Sequence, residues 1–100
     1  MAFDTPARIA IIGAGPIGLE AALYARYLGY DVDLYERGYV CESVRQWGHV
    51  KLFTPFRHLA STLGLAALAA HDPGFLSPPS DELLTGHEWL EHYLLPLASL

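Results

Sequence analysis

Cysteine is almost absent. Cys41 is the only one, so the chain can form neither an internal disulfide nor a CxxC redox pair. It reads as an unreactive loop or core thiol in a reducing cytoplasm. Basic residues are also few. Arg8, Arg26, Arg37, Arg45, Lys51 and Arg57 are scattered among eleven acidic residues, for a net charge of −5. No basic stripe exists to neutralise a phosphate backbone, which argues against a nucleic-acid partner. Long apolar runs are missing too. The stretch 9–19 is broken by Gly13, Gly15, Pro16 and Gly18 and followed at once by Glu20, unlike the plain apolar helix of a secretory signal. The run 63–70 falls short of the roughly 18 residues that span a bilayer, so no membrane association is expected. Charged residues make up 17% of the chain against 52% hydrophobic, where a complete small domain carries about a quarter charged. That imbalance predicts uncovered apolar surface, self-association, and a chain that is part of something larger.

What is present begins with Arg8-Ile9-Ala10-Ile11-Ile12, a β-branched run ending at glycine. It reads as a central parallel strand buried on both faces. A helix is expected over 16–28, opened by Pro16 in the first turn. Ile17, Ala21, Tyr24, Ala25 and Leu28 would form its apolar face, and Gly29 would cap it. Residues 31–36 read as a second strand. Strand, helix and strand over 8–36 make a βαβ unit. The connection 37–57 is irregular, and 58–100 is mainly helical. A helix is expected over 58–70, a loop over 71–79, and a second helix from Thr85 towards Leu97. Thr85 and Glu88 have the spacing of a capping box. The fold class predicted is α/β: a Rossmann-like βαβ dinucleotide-binding unit followed by helices, an incomplete FAD/NAD(P)-binding domain within 1–100.

The chemistry rests on Gly13-Ala14-Gly15-Pro16-Ile17-Gly18, a GxGxxG that follows a strand and opens a helix. The first glycine permits the tight turn, the second lets a pyrophosphate approach the backbone, and the third lets the helix lie on the strand. The helix N-terminus offers free N–H groups and partial positive charge to that pyrophosphate. Ala22 is small where the helix meets the sheet. Glu36 follows the last glycine at about the 20-residue spacing of a ribose-binding carboxylate, which would also repel a 2′-phosphate. Together these residues point to an adenine dinucleotide.

The stretch GAGPIGLEAALYARYLGYDVDLYER resembles the N-terminal FAD-binding fingerprint of the two-dinucleotide-binding-domain flavoproteins, a group that includes flavin monooxygenases and pyridine nucleotide–disulfide oxidoreductases. Gly13, Gly15, Gly18, Ala22, Gly29, Val32 and Glu36 carry the match. The resemblance implies FAD at this fingerprint, with NAD(P)H as co-substrate at a site not present in these residues. It also implies that residues 47–55 pass the flavin and that residues 88–97 form a helix of monooxygenase-like members. The redox cysteine pair of the disulfide reductases is missing, which favours a monooxygenase-like or general flavin oxidoreductase.

The cofactor-binding candidates are therefore Gly13, Ala14, Gly15, Pro16, Ile17, Gly18, Glu36, Arg37 and Trp47. No residue is assigned to catalysis or to a metal. Trp47 either touches the flavin or packs the connection onto the sheet, and Arg37 either sits near the ribose or is simply solvated. Arg45 is left between a phosphate and a helix terminus. His49, His58 and His71 read as ordinary loop or helix residues. His87 and His92 are five apart, so at about 100° per residue they leave one helix face and do not make the i, i+4 zinc pair. Three functional readings remain: a flavin-dependent, NAD(P)H-linked oxidoreductase of which this is the N-terminal part; an NAD-binding module of a dehydrogenase; or a truncated, non-catalytic nucleotide-binding chain.

Overall fold

The computed structural model describes residues 7–100. Strand β1 (Arg8–Ile12) leads through a turn into helix α1 (Pro16–Tyr27), and the chain returns as strand β2 (Asp31–Tyr35). The strands pair in parallel, Arg8 opposite Asp31 through Ile12 opposite Tyr35. Gly13 extends the ladder by donating its N–H to the Tyr35 carbonyl at 2.7 Å. Among the described residues the sheet has two strands. The fold is a Rossmann-like βαβ unit followed by helices.

Two expectations for this unit are corrected. β1 is not buried on both faces: its exposure alternates, and Ile12 is 81% exposed. A parallel strand seals both faces only when helices cover both, and α1 covers one. The expected apolar face of α1 is also displaced. Ile17 is 85% exposed, and Tyr24 and Leu28 are exposed as well. Of the expected face Ala25 is buried, and the side that packs carries with it Leu19, also buried, and Leu23. The helix is apolar around most of its circumference, so periodicity names two candidate faces. Contact with the sheet selects between them.

The connection 37–57 contains a short helix α2 (Glu42–Gln46) that sequence reading did not expect, and a 3₁₀ turn at Phe56–His58. Its later part runs antiparallel to residues 80–87. Leu52 N–H meets Leu84 O at 2.8 Å, Gly86 N–H meets Val50 O at 3.0 Å, and Phe56 N–H meets Glu82 O at 2.9 Å. The expected helix over 58–70 starts later, as α3 (Thr62–His71), because the Ser61 side chain caps it by accepting from Gly64 N–H. The last helix begins at Thr85 with both bonds of the expected capping box. It runs through α4 (Gly86–Trp89), a π-helical turn (Leu90–Leu94) and α5 (Leu95–Ala98). The wide turn has a local cause. Pro96 cannot donate a helical bond, and its ring would press on the carbonyl four residues back. Leu95 N–H reaches instead to Leu90 O, five residues back.

The core lies between these later elements. Phe56, Leu68, Leu84, Leu90, Tyr93, Leu94 and Leu97 are buried, with Cys41 and Val44 from the connection, and Ala14 and Leu19 from the βαβ unit. Phe56 and Tyr93 meet edge to face, ring centroids 5.8 Å apart. No helix among the described residues is long and apolar enough to cross a membrane.

Candidate functional site

The turn from β1 into α1 takes its shape from three glycines in three different ways. Gly13 sits at φ +104°, where a side chain would be strained. Gly18 lies so close to the turn that a Cβ would overlap the Gly13 carbonyl. Gly15 does neither: its backbone is extended at φ −82°, and a Cβ there would meet nothing within 4 Å. Backbone conformation explains the first glycine and close packing the third. Gly15 faces open space. No side chain caps α1 at Gly15, so its first-turn N–H groups stay available to an anion. Pro16, lacking an N–H, takes one of those orphan positions, and Ile17 is exposed beside it.

Glu36 stands at the end of β2, exposed. One carboxylate oxygen accepts from Ala14 N–H at 2.8 Å, and the other accepts from Gly38 N–H at 2.8 Å. These donors, Gly38 first, hold the carboxyl below its ordinary value of 4.5, with the Arg37 charge a minor aid. An ionised carboxylate has about four acceptor positions. With one taken on each oxygen, each retains capacity for a hydroxyl donor. Glu36 is thus tied to the fingerprint turn and still able to bind.

Ala14 is the hinge of this arrangement and is 1% exposed. Its carbonyl accepts from Cys41 N–H at 2.9 Å and from the Cys41 thiol at 3.4 Å. Cys41 holds a left-handed conformation, φ +55°. Burial, then the Glu36 charge, pushes its thiol pKa up, in keeping with an unreactive sulfur. The sequence named Ala14 but not its clamp, since one cysteine in an irregular connection carries no positional signal.

The remaining candidates are placed as follows. Arg37 is exposed next to Glu36. Trp47 is half-buried, and a Cβ on Gly86 would press on its ring. Its contacts are those of packing between the connection and the start of α4. Arg45 lies over the Tyr39 ring at 5.7 Å. His87 packs on Gly48, with a ring nitrogen 3.3 Å from the Arg45 carbonyl. No cluster of metal-binding side chains forms among the described residues.

Beside the fingerprint, an open groove of about 660 Å³ runs along α1, lined by Pro16, Ile17, Glu20, Tyr24, Leu59 and Trp89 among others. At its floor Glu20 accepts from the Ser61 hydroxyl at 2.7 Å and from the Tyr93 hydroxyl at 2.7 Å. Burial, then the bond to Glu20, pushes the Tyr93 pKa up to about 12. Sequence reading missed this trio. Ser61, three residues before Gly64 at the head of an apolar run, has the pattern of an N-cap, but nothing in the sequence joins it to Glu20 or Tyr93.

Residues 3–47 match the family model of pyridine nucleotide-disulphide oxidoreductases. Over 33 residues the chain is 54% identical to the NAD-dependent dihydropyrimidine dehydrogenase subunit PreT of Salmonella typhimurium, covering 33% of this chain and 8% of that protein; the homologous subunit of Salmonella typhi matches equally. Over 31 residues it is 55% identical to kynurenine 3-monooxygenase of Phaeosphaeria nodorum, covering 31% of this chain and 6% of that protein. The chain thus matches less than a tenth of the length of these curated relatives. No solved structure matches it. In sequence, residues 3–47 are similar to the pyridine nucleotide-disulphide oxidoreductases, and the described part of that segment, residues 7–47, contains the strand–turn–helix–strand unit.

Proposed function

We propose that this βαβ unit holds the ADP half of FAD, and that the protein to which it belongs is a flavin-dependent, NAD(P)H-linked oxidoreductase of monooxygenase-like type. The observation that carries the reading is the pairing of an open, uncapped helix start at Gly15 with an exposed, ionised Glu36 fixed to the same turn. The pyrophosphate would lie across Gly13, Ala14, Gly15, Pro16, Ile17 and Gly18, and the ribose hydroxyls would donate to Glu36 with Arg37 alongside. Trp47 would act by fixing the connection that borders the site. The flavin, when bound, supplies hydride transfer with the nicotinamide. These residues bind and orient it, and none of them is assigned to catalysis.

A second reading, NAD in the same fingerprint, is favoured by the NAD-dependent subunits among the relatives. Glu36 suits it equally, since it accepts from a ribose and repels a 2′-phosphate. Titrating the chain with ADP, FAD, NAD and NADP by calorimetry distinguishes them: FAD is expected to bind tightest and NADP weakest.

Gly15→Val is the sharpest mutational test. Its backbone is extended and its surroundings are empty, so the fold should lose about 1 kcal/mol or less, the usual effect of a changed N-cap. Dinucleotide affinity should fall at least about tenfold, because the branched side chain occupies the space of the pyrophosphate. Unchanged ADP affinity in a folded Gly15→Val chain would overturn the assignment.

A further inference from the structure

Glu20 lies one helical turn beyond Pro16, on the same side of α1. It is the one acidic residue of that helix. A carboxylate so near a pyrophosphate-binding helix start is unfavourable for an anion unless its charge is engaged elsewhere. The structure engages both of its oxygens. Ser61 Oγ donates to one oxygen at 2.7 Å. The Tyr93 hydroxyl donates to the other at 2.7 Å, joined by Ser61 N–H at 3.3 Å. The same Ser61 Oγ accepts from Gly64 N–H at 2.8 Å and so starts α3. Tyr93 is fully buried and stacked edge to face on Phe56. Gly64 is required for the arrangement, since a Cβ there would overlap the Tyr93 hydroxyl. Tyr93 also lies in the π-helical turn, a rare irregularity that often marks a functional position.

We infer that Glu20, Ser61 and Tyr93 form a positioning device for the dinucleotide site, through which the helical half of the chain sets the aim of the α1 N-terminus. This rests on the reading of the fingerprint as an ADP-binding turn. Ser61 and Tyr93, from separate parts of the chain, hold α1 through Glu20 at its first full turn, on the side opposite the sheet. With the sheet fixing one side and Glu20 the other, the first-turn N–H groups have one orientation. Engagement by two hydroxyls also draws the Glu20 charge away from the helix start. Neither Ser61 nor Tyr93 touches the ligand in this scheme; they act through α1.

The test measures ADP affinity by calorimetry and melting temperature in parallel, on the 100-residue chain. Tyr93→Phe removes one hydroxyl and leaves the ring. It is expected to weaken ADP about fivefold, the lower end of usual coupling between sites. Glu20→Ala is expected to weaken ADP about tenfold. Glu20→Gln keeps an acceptor and removes the charge, so it should restore affinity to within about twofold of the native chain. Thr85→Ala serves as control: it breaks the capping box at the start of the helix that carries Tyr93 but removes none of the trio's own hydrogen bonds, and should lower the melting temperature without changing ADP affinity. If Tyr93→Phe and Glu20→Ala lower only the melting temperature, as Thr85→Ala does, the trio is structural and the inference falls. If the native chain itself binds no ADP, the fingerprint reading falls instead.

Discussion

The two halves of this chain differ in what fixes their geometry. In the βαβ unit Ile12, Ile17 and Tyr24 stand exposed, while the hydrogen-bond ladder and close glycine contacts set the geometry. In the half beyond residue 40, Phe53 and Leu76 are exposed as well, but Phe56, Tyr93 and Leu94 are sealed in one cluster. The first half is shaped by backbone rules: parallel pairing, a tight turn and an uncapped helix start. The second is shaped by burial. The proposed pyrophosphate site would need its donors open, whereas a core gains from excluding water. The two meet at Ala14, gripped by Cys41 and Glu36, and at Glu20, gripped by Ser61 and Tyr93.

The contrast can be broken most forcefully in the core. Phe56→Ala removes a ring that is 1% exposed and packed on Tyr93. It should cost about 3–5 kcal/mol, enough to unfold much of a chain this size, whereas Ile17→Ala in the first half should change stability by no more than about 0.5 kcal/mol. Urea titrations of both variants check this, and equal losses would show that the halves do not differ as described.

Within the first half, Gly18→Val should cost about 3 kcal/mol, because the new side chain overlaps the Gly13 carbonyl and α1 must move off the turn. Set beside Gly15→Val, it separates a glycine needed for the fold from one that the proposed ligand site needs. Far-ultraviolet circular dichroism through a melt reads the difference, and similar melting points for the two would remove the distinction.

A smaller and more specific effect is expected in alkali. The Tyr93 pKa is raised from 10.0 to about 12 in the folded chain. Below pH 10 the tyrosine is neutral in both folded and unfolded states, and the stability associated with the shift is fully present. Between pH 10 and 12 the unfolded chain gives up the proton first, so stability falls with rising pH, by about 2–3 kcal/mol in all. Tyr93→Phe should remove that slope. An unchanged slope in the variant would place the alkaline sensitivity elsewhere.

Much of the first half was legible because its signals are local. Gly13, Gly15 and Gly18 announce the turn, Ile9 to Ile12 a strand, and Glu36 the end of the next, since each follows from what a backbone can do over a few residues. Thr85 and Glu88 announced a helix start for the same reason. The connection was less legible. Helix α2 is one turn long, and the antiparallel run of residues 50–57 beside 80–87 depends on partners far apart in sequence, which no local pattern encodes.

The amino-acid sequence by itself determined the βαβ unit, the place of its glycine turn and the capped start of the last helix, because glycine geometry, β-branched runs and side-chain caps act within one or two turns of chain. Only the tertiary structure decided which face of α1 is buried, since an apolar helix offers several and contact with β1, β2 and the C-terminal segment selects one. It alone decided that Ala14 is clamped by Cys41 and that Glu20 is held by Ser61 and Tyr93. Those bonds join residues 27, 41 and 73 positions apart, and their short distances exist only once burial has brought the two halves together.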